Sequence, residues 1–200
     1  MRVSWRVFFL AVPAACSSPS QGSPADAGNM PRSTSVVGTV AGKPVVSAET
    51  AGMVGQHDAA GSPYAGAIIG NQAGTCAFLS TGMTAPANTT LLEIRVSSFS
   101  GTSPPAPGTY PVGLNSNQTA FGFAEVAGND PQCVQTISQT AQSGSITLDT
   151  VGSAAVSGSF DLTFPNGDHL RGQFYGPVCN VDLSKLGQNG SGTCAPMNDQ

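Results

Sequence analysis

Only 9% of the 200 residues are Asp, Glu, Lys or Arg, against about 25% in an ordinary soluble domain. A formal net charge of −4 leaves no basic surface for a phosphate backbone, which argues against a nucleic-acid partner. The length suits one domain with a real core, and the 25 Gly and 15 Pro favour turns and strands over long helices.

Arg2 and Arg6 make a basic start, Val7 to Val12 form a short apolar run, and Ala14 and Ala15 follow. This is the order of a secretory signal, and the run is far too short for a bilayer span of roughly 20 residues. Cys16 stands directly after Ala14-Ala15 and is followed by Ser17, Ser18, Pro19 and Ser20. The segment resembles the lipobox of bacterial lipoproteins, with one departure: Pro13 stands where that family prefers Leu, Val or Ile. In the family, the cysteine becomes the first mature residue and carries diacylglycerol on its sulfur. The resemblance implies a signal peptide over 1–15, a lipidated Cys16, and a cell-envelope address. Ser17 after the cysteine looks like the outer-membrane sorting pattern; release as a soluble secreted protein is the alternative.

Residues 16–35 pair that cysteine with a Ser, Pro, Gly and Ala stretch that has little to bury, the composition of a disordered tether. The expected domain runs over 36–183, followed by a tail, 184–200, pinned by Cys194. Short apolar or alternating runs occur at 36–40, 66–70, 91–98, 109–113, 119–127, 144–150, 155–164 and 169–178. Many short strands between turn signals predict an all-β fold, an antiparallel β-sandwich or small barrel. No window shows the apolar face of an amphipathic helix.

The last three runs predict a C-terminal meander. Phe160, Leu162 and Phe164 share one face, as do Leu170 and Phe174. A two-residue turn at Asn166-Gly167 would set Phe164 against His169, so an odd loop is expected, pairing Phe164 with Leu170 and Phe160 with Phe174. A second odd loop centred on Ser153 puts Ile146, Leu148, Val156 and Phe160 on that face. Thr147, Asp149, Asp161, Thr163, Arg171 and Gln173 then form a solvated one. The Phe-rich hairpin resembles domains of bacterial lipoproteins of unknown role, which implies no activity.

Five cysteines leave one over in an exported protein. With Cys16 acylated, Cys76, Cys133, Cys179 and Cys194 make two disulfides. The spacing contains no C-x₂₋₄-C pair of a zinc site. Three connectivities are open. The meander places Cys76 and Cys179 at one end of the sheet and Cys133 at the other, which favours Cys76–Cys179 with Cys133–Cys194.

No nucleophile elbow, zinc-protease helix, phosphate loop or dinucleotide fingerprint is present, and no metal or other cofactor is expected. Asp149, Asp161, Asn166 and Asp168 supply oxygen ligands of the kind calcium takes, without an EF-hand spacing. Trp5 falls in the signal, so Tyr64, Tyr110 and Tyr175 are the aromatics left to stack on a sugar. The leading expectation is a non-enzymatic envelope lipoprotein, a membrane-anchored binding or structural module whose partner is an envelope protein or glycan. One alternative is a tethered hydrolase using His57 and Asp58, which requires their convergence with a Ser or with His169. Another is a small barrel holding an apolar ligand, which requires an empty interior.

Overall fold

The computed structural model describes residues 33–55, 60–81, 85–99, 102–113 and 118–180. Eleven strands are described: β1 (Ser35–Val40), β2 (Lys43–Pro44), β3 (Glu49–Gly55), β4 (Tyr64–Gly70), β5 (Thr90–Ser98), β6 (Gly108–Pro111), β7 (Ala120–Asn129), β8 (Gln135–Thr140), β9 (Ser143–Val151), β10 (Ala155–Thr163) and β11 (His169–Pro177). One helix, α1 (Thr75–Thr81), lies between β4 and β5. A six-stranded sheet runs β2-β1-β11-β10-β9-β6, and a five-stranded sheet runs β3-β4-β5-β7-β8. Every pairing within them is antiparallel.

The two sheets bury their inner faces against each other. Leu92, Ile94, Val96, Ala124 and Val126 of one meet Ile146, Leu148, Val156, Phe160, Leu162 and Phe174 of the other. The fold is therefore an all-β sandwich, not a closed barrel, and the packed interior overturns the reading of a barrel around an apolar ligand. Among the described residues, no helix is long and apolar enough to cross a membrane.

The β9–β10–β11 meander is present, and its polar face is exposed or half-buried as alternation requires. The register differs from the expected one. The loop between β10 and β11 is odd, five residues from Phe164 to Asp168, but Leu162 faces Leu170, Phe160 faces Gly172, and Phe174 faces Gly158. Ring size explains the shift by one pair. A Cβ on Gly158 would stand 2.8 Å from the Phe174 ring, and one on Gly172 would stand 2.8 Å from the Phe160 ring. Each phenyl lies over a glycine, a large-against-small arrangement that two opposed rings could not match.

The β9–β10 connection is even, not odd. Gly152 donates its amide to the Ala155 carbonyl at 3.1 Å, so the turn is Ser153-Ala154. Ser157 pairs with Thr150 and Gly158 with Leu148, so Asp149 is an extra residue on β9. That bulge corrects the parity and returns Ile146, Leu148, Val156 and Phe160 to the core.

The folded domain also includes Thr34 and Ser35, which composition assigns to the tether. Ser35 pairs with Gln173, and the Thr34 hydroxyl sits between β1, β3 and β11.

Candidate functional site

The chemistry-bearing surface is set by one crossing of the two sheets. β11 outruns β1 at its C-terminal end, and its last residues meet β3: Gly52 bridges Val178, and the Cys179 amide donates to the Gly52 carbonyl at 2.8 Å. Only glycine fits there. A Cβ on Gly176 would stand 2.5 Å from the Gly52 nitrogen, and a Cβ on Gly52 would run into the Gly176 carbonyl. The crossing delivers Cys179 to α1, where it bonds Cys76 with a Cα–Cα distance of 5.8 Å.

α1 is held from the other side by Glu49. Its Oε1 accepts the Cys76 amide at 3.1 Å; its Oε2 accepts the Thr75 amide at 3.1 Å and the Gly74 amide. A carboxylate from a neighbouring strand thus satisfies the orphan donors of the first turn and matches the helix dipole. Phe78 and Leu79 then pack with Met53, Tyr64 and Ile68 in a second apolar cluster outside the five-stranded sheet. Glu49→Ala is expected to lower unfolding free energy by about 1–2 kcal/mol, as loss of a cap does. The check is urea denaturation beside hydrogen exchange at Phe78, where exchange must rise before global unfolding does.

Beside this junction lies a cleft of about 480 Å³. Thr34, Ser47, Glu49, Thr50, Tyr175 and Cys179 are among its walls. The Thr34 and Thr50 hydroxyls are 2.7 Å apart, and Thr34 Oγ1 accepts the Tyr175 amide at 3.2 Å. Tyr175 is 37% exposed. Ser33, two residues before β1, and Cys179, two residues after β11, both line the cleft.

The six-stranded sheet presents a second candidate surface, its polar face. Ser35, Gln173, Ser159, Thr147 and Thr109 form one row across five strands, with the Thr109 and Thr147 hydroxyls 2.9 Å apart. Val37, Arg171, Asp161, Ser145 and Pro111 form the next. On the outer face of the other sheet, Arg95 lies over Phe123 at 4.8 Å, and Phe99 stacks on Phe121 at 4.7 Å.

The expected Cys76–Cys179 pairing is present, but Cys133 is not at the opposite end of the sheet. It lies in the β7–β8 turn, whose Asp130 carbonyl accepts the Asn88 amide, at the same end as the β4–β5 connection that carries Cys76. Cys133 is also disulfide-bonded. Cys16 and Cys194 lie outside the described residues, as do His57 and Asp58. His169 is exposed on β11 with its Nε2 2.7 Å from Asp161 Oδ1. Asp168 turns elsewhere: its Oδ2 accepts the Ala41 amide at 2.7 Å. The carboxylates considered for calcium thus face different partners, and among the described residues no three His, Cys, Asp or Glu side chains gather around a metal position.

The three tyrosines divide by burial. Tyr64 is 2% exposed within the second cluster and is closed to any ligand. Tyr110 is half-buried, donates its hydroxyl to the Ala106 carbonyl at 2.7 Å, and has its phenol pushed above the ordinary range by burial. Tyr175 alone of the three stands in the cleft. Sequence reasoning passed over Thr34, Ser47, Glu49 and Thr50, because isolated polar residues carry no local signal of a shared wall. No family model matches the chain, and neither does any curated protein or solved structure.

Proposed function

We propose that the chain is an exported lipoprotein, anchored through Cys16, whose sandwich is a non-catalytic module that binds an envelope partner. The supporting observation is the cysteine arrangement: Cys76 is bonded to Cys179, and Cys133 is bonded as well. Stable disulfides belong to oxidising compartments, which is where a signal sequence delivers a chain. Pairing Cys133 with Cys194 uses the remaining even set and leaves Cys16 for the lipid.

Intact mass of the protein from a membrane fraction, with and without reduction, tests this reading. The expected species starts at Cys16, carries acyl mass, and gains four hydrogens on reduction. An unmodified mature chain in the soluble fraction overturns the anchor and makes the protein a secreted one.

A further inference from the structure

We infer that the cleft beside the Cys76–Cys179 disulfide is a binding site for a neutral saccharide. The inference rests on the binding-module reading and names the ligand class, but it does not depend on the lipid anchor.

Three observations select that class. The first is charge. Among the described residues, no Lys, Arg or His lines the cleft, and the one carboxylate there, Glu49, already accepts three backbone amides at the start of α1 through both oxygens. An anion such as a phosphate or nucleotide finds no cation here, and a cation finds a carboxylate whose acceptor capacity is largely taken. The second is polarity. Ser33, Thr34, Ser47 and Thr50 share the walls with Ala48, Pro177 and Val178, so the lining is part hydroxyl and part apolar. A sugar, with C–H faces and a hydroxyl rim, matches both, whereas an alkyl chain would desolvate the hydroxyls without replacement.

The third is the exposed ring of Tyr175 among those hydroxyls. A pyranose has one face of C–H groups and a rim of hydroxyls, and an aromatic with a polar tip meets both. The cleft volume lies within the range of small-ligand sites, roughly 300–1,000 Å³. The walls are also preformed. The Gly52–Gly176 crossing, the disulfide and the Glu49 contacts fix β3, β11 and α1 against one another, so little ordering accompanies binding. Gln173, two residues before Tyr175 on the same side of β11, belongs to the polar row of the six-stranded sheet, so a longer glycan can run from the cleft onto that face.

The test is a saturation-transfer NMR titration of the purified full chain, disulfides intact, with tetraacetylchitotetraose, maltohexaose and cellohexaose in parallel. At least one is expected to saturate in the low-millimolar range or tighter. Tyr175→Ala is expected to weaken that binding at least tenfold, and Tyr175→Phe, which keeps the ring, to stay within threefold. Ala48→Trp, which fills the cleft from an exposed position, is expected to abolish it, with circular dichroism confirming that each variant is folded. Failure of all three sugars to saturate by 10-fold molar excess over that range overturns the inference, and so does unchanged binding in the folded Tyr175→Ala and Ala48→Trp variants. Neither outcome touches the mass measurement that decides the anchor.

Discussion

Replacing Cys76 and Cys179 together by serine is expected to lower unfolding free energy by about 2–5 kcal/mol, the range for removing a native disulfide from a small domain. The bridge spans 103 residues of sequence, so cutting it frees a long segment of the unfolded chain. The paired change is the right one, since a single replacement leaves a reactive thiol beside the cleft. Its structural effect is expected to be local. α1 loses its covalent link to β11 but keeps the Glu49 contacts to β3, so far-ultraviolet circular dichroism stays that of the intact sandwich. Hydrogen exchange at Phe78 and Leu79 should accelerate well beyond that at Ile94 or Leu162 in the main core. An unchanged urea midpoint with unchanged exchange in α1 would show that the bridge constrains nothing that other contacts do not already hold.

Gly176→Ala is expected to cost about 3 kcal/mol, the upper end for overpacking, although it adds a single methyl group. The methyl would stand 2.5 Å from the Gly52 nitrogen and 3.0 Å from its Cα, which are backbone atoms with no rotamer to change. β3 must then move away from β11, and the 2.8 Å hydrogen bond from Cys179 to Gly52 is lost with it. Gly152→Ala is the control. Its Cβ meets the Ala155 carbonyl oxygen at 3.5 Å, an ordinary contact, and its effect is expected within about 0.5 kcal/mol. Equal denaturation midpoints for the two variants would rule out the crossing as a tight point. Because the crossing and the disulfide sit side by side, combining Gly176→Ala with the double serine change should give a non-additive result.

The meander was legible because three strands alternate strongly between apolar and polar residues, with Phe160, Leu162, Leu170 and Phe174 on one side. Periodicity sets parity, and parity held between β10 and β11, whereas the β9–β10 connection is even and the Asp149 bulge restores the core face. Periodicity does not set which pair within a parity faces which, and there the glycines decided: Phe174 needs Gly158 opposite, Phe160 needs Gly172. The Asp149 bulge escaped notice because a bulge leaves no residue-type signature on a Thr-Leu-Asp-Thr strand.

β3 escaped because it does not alternate. Ala51, Gly52 and Met53 are all buried, since the sandwich core covers one side and the α1 layer the other. β8 escaped for the opposite reason: at the sheet edge, Gln135–Thr140 buries Ile137 and little else. α1 was invisible because seven residues make no periodic window, and its stability comes from Glu49, far back in the chain. The cleft is the extreme case. The bond between Thr34 and Tyr175 joins positions 141 residues apart, and no local pattern records that meeting.

Among the described strands, the first, β1, begins and the last, β11, ends beside a single cleft, which makes the sandwich modular in a practical sense. A polypeptide whose two ends leave side by side can be spliced into a surface loop of another protein without stretching its host. By the same geometry, a short linker can join those ends, and new ones can be opened in the Phe164–Asp168 loop, far away at the other end of β11. Such a permuted chain would have its ends at the pole opposite the cleft and would carry the two strands that flank the cleft on one continuous segment.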